Sequence, residues 1–278
     1  MATNMPRASM FNMSAVGNHV IEELPDLVVK RFRGCDRGQH VREWQALTLL
    51  AEHAPELAPT PVQADLDGTP ATIVMSRVHG MPLRGGPVRP EQITALASTV
   101  TRLQDAIPGR LLAQLPAVTW GQSYAVEEIR GWCAQQPAQA MAPAVVRAQK
   151  EGSRWLDRST LAMSSPPVFC NGDGNLSNYL WDGARVRVID FEYSGRSDRA
   201  MALAEITEHV SAWVDTDFDV PCFLAHFDLP PTEAARLLEC RRLLAFDWLC
   251  VLAKQEPGKH NPVGTVEHQA DRLMALLG

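Results

Sequence analysis

A chain of 278 residues with 46% hydrophobic and 21% charged side chains can bury a large core and reads as one globular unit of two lobes. Its net charge of −6 argues against nucleic acid as a partner, because phosphate binding wants a basic face, whereas a cationic small molecule is tolerated. Six cysteines without a C-x-x-C pair, no signal peptide and no apolar run of membrane-spanning length lead us to expect a reduced, soluble, cytoplasmic protein with no structural zinc and no membrane partner.

Residues 1–11 carry no periodicity and are expected to form a flexible arm. Leu24-Pro25-Asp26 is a turn signal, after which Leu27–Phe32 alternates as a strand does and sets Val28, Lys30 and Phe32 on one face. Lys30 is the only lysine in the first half of the chain, and on an inner face it is costly to bury. Gln39–His53 spaces Val41, Trp44, Leu47, Leu50 and Ala51 as a helix does. Glu43, in its early turns, is either a solvated helix charge or the partner of Lys30. Residues 60–65 and 71–77, joined at Asp67-Gly68-Thr69, read as a hairpin.

A Gly- and Pro-rich linker follows from 82 to 90, and Pro90 suits the first position of a helix whose stripe is Ile93, Leu96, Val100, Leu103 and Ile107. A second helical region, 123–157, is interrupted near Pro137 and Pro143. Residues 236–254 and 266–277 are expected to close the chain as two further helices.

Most of the chemistry lies in residues 168–192. Two β-type runs, 178–181 and 185–189, flank the turn Asp182-Gly183-Ala184 and make a hairpin with a polar loop leading in. Asp173 falls in that loop, Asn178 at its exit and Asp190 at the end of the second strand, so three oxygen-bearing side chains gather at one end. Phosphoryl transfer to an alcohol needs a carboxylate to accept the hydroxyl proton and hard oxygen ligands for magnesium ions that bridge nucleotide phosphates. Asp173 suits the first task; Asn178 and Asp190 suit the second.

These residues, Asn171-Gly172-Asp173-Gly174-Asn175-Leu176-Ser177-Asn178 and Ile189-Asp190-Phe191-Glu192, resemble the His-Gly-Asp-x-x-x-x-Asn and Ile-Asp-Phe-Gly motifs of the aminoglycoside phosphotransferase and choline kinase family. The resemblance implies an α+β, protein-kinase-like bilobal fold. An N-lobe of about five antiparallel strands and one helix, residues 1–79, would bind nucleotide, and a mainly helical C-lobe, residues 80–278, would carry catalysis and the acceptor. It implies ATP or GTP as phosphate donor, Mg2+ as cofactor, and a small-molecule hydroxyl as acceptor.

By the same resemblance, Gly17 and Asn18 belong to a loop covering the phosphates, Lys30 contacts the α- and β-phosphates and is held by Glu43, and the Ser76 carbonyl and Val78 amide bind the base at a hinge. Departures are visible. Asn171 stands where the family has His, Glu192 where it often has Gly, and Met201-Ala202-Leu203-Ala204 where it has Tyr-Asp-Leu-Ala, so an aspartate that braces the catalytic loop is missing. Gly195-Arg196-Ser197-Asp198 resembles the family's Gly-x-Gly-Asp turn.

Beyond the hairpin lie Glu205, Glu208, Asp215, Asp217 and Asp219, with Trp213 among them and Glu192 and Tyr193 nearby. They read either as a solvated acidic surface or as a site for an aminated substrate held by charge and cation–π contact. Glu192, Tyr193, Glu208, Trp213 and Asp215 are the candidate acceptor contacts. Three function classes follow: a phosphotransferase inactivating an antibiotic, a metabolic kinase for choline, an amino alcohol or a sugar, and a catalytically silent nucleotide-binding module.

Overall fold

The computed structural model describes residues 12–16, 19–34, 38–135, 141–159, 161, 165–256 and 258–278. Gly17 and Asn18 lie outside them. The N-terminal part is a five-stranded antiparallel sheet made by β1 (Asn12–Val16), β2 (His19–Glu23), β3 (Leu27–Phe32), β4 (Pro61–Asp65) and β5 (Ala71–Ser76), in the spatial order β1-β2-β3-β5-β4. Between β3 and β4 the chain forms α1 (Gln39–His53), which covers one face of the sheet.

Two-residue alternation decides which side of the sheet is dry. On β5 it buries Ala71, Ile73 and Met75, and on β3 it buries Lys30 and Phe32. α1 answers with Ala46, Leu47 and Leu50. Its inner face also carries Glu43, which is 1% exposed. Val41, expected on that face, is exposed.

After a short strand β6 (Met81–Pro82) the chain becomes mainly helical: α2 (Pro90–Asp105), α3 (Gly109–Leu112), α4 (Gln122–Gln135) and α5 (Pro143–Leu156). Pro90 opens α2 where its missing N–H costs nothing. Ile93, Leu96, Val100 and Leu103 then bury a stripe continuous with the core below the sheet. The segment carrying the sequence motifs follows as β7 (Pro167–Cys170), β8 (Tyr179–Trp181), β9 (Val186–Val188) and β10 (Gly195–Asp198). β8 and β9 form the expected hairpin, with β6 added along the edge of β8, while Leu176–Asn178 is a single 3-10 turn.

Residues 195–198, expected as a turn, form instead a strand antiparallel to β7, Gly195 opposite Cys170 and Asp198 opposite Pro167. The extended backbone allows Asp198 to cap the next helix, α6 (Arg199–Glu208), by accepting from the Met201 amide at 3.0 Å, and to take the Arg236 guanidinium at 2.8 Å. Arg236 lies on α8 (Pro231–Ala253), which begins five residues before the expected start. Short α7 (Val220–Leu224) precedes α8, and α9 (Thr265–Leu277) packs against α5 and α8.

Side chains of the sheet half reach across to the segment after β7. Arg42 on α1 donates to the Ser194 carbonyl at 2.6 Å and to the Ala117 carbonyl at 3.0 Å. Among the described residues, no helix is long and apolar enough to cross a membrane.

Candidate active site

The loop after β7 is pressed between two other stretches of backbone, which explains its glycines. Gly172 sits at φ +72°, and a Cβ there would fall 2.3 Å from the Tyr193 carbonyl. A Cβ on Gly174 would fall 1.9 Å from the carbonyl of Glu205 on α6. Side chains at either position would push the loop off its seat.

The loop presents Asp173 with both oxygens engaged. Oδ1 accepts from the Asn175 amide at 3.0 Å, and Oδ2 accepts from Asn178 Nδ2 at 3.0 Å. Asn171 Oδ1 accepts from the Asp173 amide at 3.2 Å, so the residue in the family's His position supports the loop from within. Burial pushes the Asp173 carboxyl up, the Asn175 amide pulls it back and nearby Asp190 pushes it further, leaving it at about 6. A carboxylate near that value is poised to take a proton at neutral pH.

Lys30 lies in a nest of three carboxylates. Its Nζ is 2.6 Å from Glu43 Oε2, 2.6 Å from Asp190 Oδ1 and 2.9 Å from Glu192 Oε2. Burial works against the ammonium charge, but Glu43, Asp190 and Glu192 outweigh it and hold the lysine above its ordinary value. Burial likewise opposes the charge on Glu192, yet contact with His19 Nε2 at 2.5 Å and with Lys30 keeps its carboxyl down, at about 2. Asp190 adopts φ +65°, a left-handed conformation that Asp tolerates better than most residues. Three carboxylates around one lysine leave an excess of negative charge, with their oxygens within 4.8 Å of one another. Asp190, 38% exposed, and the Asn178 oxygen offer hard ligand atoms at the open side, a donor set that fits magnesium.

These groups border two cavities. The larger, about 610 Å³, lies under the sheet and is lined by His19, Val28, Lys30, Met75, Asn178 and Asp190, with the backbone of residues 76–80 along its rim. Ser76 and Val78 both line it. The second, about 360 Å³, is bounded by Trp120, Tyr124, Tyr193 and Trp248 together with Asp173, Glu205, His209 and Asp247. Trp120 meets Tyr124 and Tyr193 edge-on at 4.7 and 5.1 Å between ring centres. Asp173 belongs to the second cavity and Asn178 to the first, so their hydrogen bond bridges the wall between them.

Of the five candidate acceptor contacts, Tyr193 alone lines the second cavity. Glu192 faces Lys30 instead, because the chain bends sharply at Asp190. Glu208 is fully buried and bound by Arg241 at 2.6 Å and Arg272 at 3.0 Å, which cancels its charge. Trp213 packs on His268 and under the Arg272 guanidinium. Asp215, at φ +58°, borders a separate hollow with Thr265 and His268. The rest of the acidic run is also structural: the Asp217 backbone pairs with Gly86 and Val88, and Asp219 caps α7.

Sequence reasoning missed Trp120, Tyr124, His209, Asp247 and Trp248, and it left Glu205 open between a solvated surface and a substrate site. One signal was present, since Leu244, Asp247, Trp248 and Val251 share a helix face and place an acid in an apolar stripe. Burial pushes Asp247 up to about 7, with Glu128 adding to it and Lys254 opposing, and its Oδ1 is buried without a hydrogen-bond partner. Burial, with Asp173 adding, pushes Glu205 to about 8.

Comparison with known proteins places this geometry in context. The sequence matches no curated protein at a significant level. Solved structures match over nearly the whole chain. A choline/ethanolamine kinase family protein from Mesorhizobium loti is 17% identical, with TM-score 0.69 over 97% of this chain and 88% of that one. An aminoglycoside 2'-phosphotransferase in its GDP complex is 14% identical, with TM-score 0.65 over 98% and 93%. A choline kinase from Streptococcus pneumoniae is 12% identical, with TM-score 0.59 over 96% and 92%. At such identities the likeness establishes the fold, the bilobal kinase-like α+β architecture expected above. The model of the phosphotransferase enzyme family matches residues 19–238, and the chain therefore belongs to that family of kinase-type phosphotransferases.

Proposed function

We propose that the protein moves the γ-phosphoryl group of a nucleoside triphosphate, ATP or GTP, to a hydroxyl of a small aminated molecule. Residues 1–79 would close over the nucleotide and residues 80–278 would carry the acceptor. The observation that supports this most is the position of Asp173, on the acceptor side of a shared wall and hydrogen-bonded to Asn178 on the nucleotide side.

In this reading the apolar faces of Val28, Met75, Leu180 and Ile189 receive the base, with the Ser76 carbonyl and Val78 amide as its hydrogen-bond partners. Lys30 binds the phosphates, kept charged and aimed by Glu43. Asn178 and Asp190 would hold Mg2+, which when bound offsets phosphate charge during transfer. Asp173 accepts the proton of the acceptor hydroxyl as that hydroxyl's oxygen bonds to the γ-phosphorus, and the bond from this phosphorus to the bridging oxygen breaks to release the nucleoside diphosphate.

Four aromatic side chains line this cavity together with Asp247 and Asp173, a set suited to an ammonium group by cation–π attraction and a charge-assisted hydrogen bond. Arrival of a cation would draw the Asp247 proton off. An aminoglycoside ring and an amino alcohol both offer this chemistry, and the first would make the enzyme a resistance determinant.

A screen of aminoglycosides, nucleoside antibiotics, choline and amino alcohols with Mg-ATP and Mg-GTP, read by 31P NMR, tests the reading. A phosphomonoester on an aminated acceptor is expected. Exclusive phosphorylation of neutral sugars or nucleosides would overturn the acceptor assignment.

A further inference from the structure

At the end of α6 the chain leaves the helix through His209, which has φ −57° and ψ 138°, and enters a 3-10 turn at Val210–Ala212. The turn brings the Ser211 amide to His209 Nδ1 at 3.0 Å and the Ser211 hydroxyl to the same nitrogen at 2.7 Å. The Ser211 amide can only donate, so Nδ1 is the acceptor in both contacts and the hydroxyl turns its proton to that nitrogen. The hydroxyl oxygen in turn accepts from the Leu176 amide in the catalytic loop at 2.8 Å. A ring nitrogen that accepts from an amide and a hydroxyl carries no proton of its own, so the imidazole proton sits on Nε2.

Nε2 lies 3.6 Å from Asp173 Oδ1. That is longer than a hydrogen bond, and catalytic contacts of this kind commonly tighten when substrate is bound. The ring cannot swing far, since Trp248 meets it edge-on at 4.6 Å between centres. Burial, with the Arg84 charge adding, lowers the imidazole to about 3, so the ring is neutral across the working range.

We propose that His209 is a positioning residue for Asp173, donating from Nε2 to Oδ1 so that the carboxylate faces the acceptor hydroxyl. This rests on the reading of Asp173 as the proton acceptor. A neutral donor suits the task better than a cation. An imidazolium would stabilise the carboxylate strongly and weaken it as a base, whereas a neutral N–H fixes its direction at little loss of basicity. The chain of contacts Leu176, Ser211, His209, Asp173 and Asn178 begins and ends in the same loop, and it ties the loop's own backbone to the orientation of its acid.

The test uses His209→Gln, whose amide nitrogen can take the place of Nε2–H, and His209→Phe, which keeps the ring against Trp248 without a donor. Release of ADP from Mg-ATP and of GDP from Mg-GTP is measured with water as the accepting hydroxyl. H209F should lower kcat about tenfold or more with nucleotide KM unchanged within about twofold, and H209Q should recover most of the loss. Unchanged kcat in H209F, or an equal loss in H209Q, would overturn the proposal.

Asp173→Asn is run beside them. Turnover surviving in D173N sinks the reading of Asp173 itself, whereas a dead D173N with a normal H209F sinks only the role of His209. In the D173N background H209F should add little, because a residue acting through Asp173 has nothing left to orient. Imidazole 15N shifts of the unmutated protein give a readout free of turnover: His209 should show the neutral Nε2–H tautomer, and an Nδ1–H or doubly protonated ring would refute the proposal.

Discussion

Asn178 Nδ2 donates to Asp173 Oδ2 at 3.0 Å, and this one bond crosses the wall between the two cavities. It ties the group proposed to take a proton to a group proposed to bind metal. Any shift of Asn178 is therefore felt on both sides, in the direction of Asp173 and in the geometry of the phosphates.

Asp173→Asn should lower kcat by on the order of 10²-fold or more while leaving nucleotide binding nearly intact, because only proton acceptance is lost. With its carboxyl at about 6, the unmutated enzyme should gain kcat as pH rises through 6 and level off above it. The acid form already holds the proton it would have to accept, which sets the sign. A kcat profile flat from pH 5 to 8 would show that another group limits the rate.

Lys30→Met should cost stability as well as affinity. Lys30 is 4% exposed and faces three carboxylates, so its loss leaves buried negative charge uncompensated, a defect worth about 3–5 kcal/mol. Thermal melts should show a large drop for K30M and partial recovery in K30M with Glu43→Gln, since burial already pushes Glu43 towards its neutral form, at about 7. No recovery in the double variant would mean that charge imbalance is not the cause.

Glu205 makes the fold sensitive to alkali. Its carboxyl is raised from 4.5 to about 8, so the folded state binds a proton that the unfolded state releases near 4.5. The stability it supports is complete below pH 4.5 and is lost as pH rises towards 8. Glu205→Gln should remove this slope, and its melting temperature relative to the unmutated protein should climb between pH 5 and 8.5. Parallel curves over that range would refute the assignment.

Asp247→Asn should raise KM for an aminated acceptor about tenfold or more and leave nucleotide KM unchanged, because a partly buried charge-assisted bond is worth about 1.5–3 kcal/mol. Asp215→Asn should change neither, since Asp215 lies in a separate hollow. Initial rates with the acceptor found by the screen check both variants.

What the sequence by itself determined is local. Alternation delivers β3 at Leu27–Phe32 and helical spacing delivers α1 at Gln39–His53 to the residue, because each pattern reports one element's own buried face. The grouping of Asp173, Asn178 and Asp190 was also legible, since a hairpin fixes the ends of a short segment. Where neighbours far along the chain decide conformation, local reading failed: residues 195–198 look like a turn and become a strand because β7 lies ready to pair with them. The acidic run likewise reads as either solvated surface or a binding site, and only the structure shows Glu208 buried against Arg241 and Arg272. The second cavity, proposed to take the acceptor, came only from the tertiary structure. Trp120, Tyr193, His209 and Asp247 come from four separated stretches, and although the face of α8 hinted at Asp247, only the tertiary packing brings the four to one cavity with Asp173.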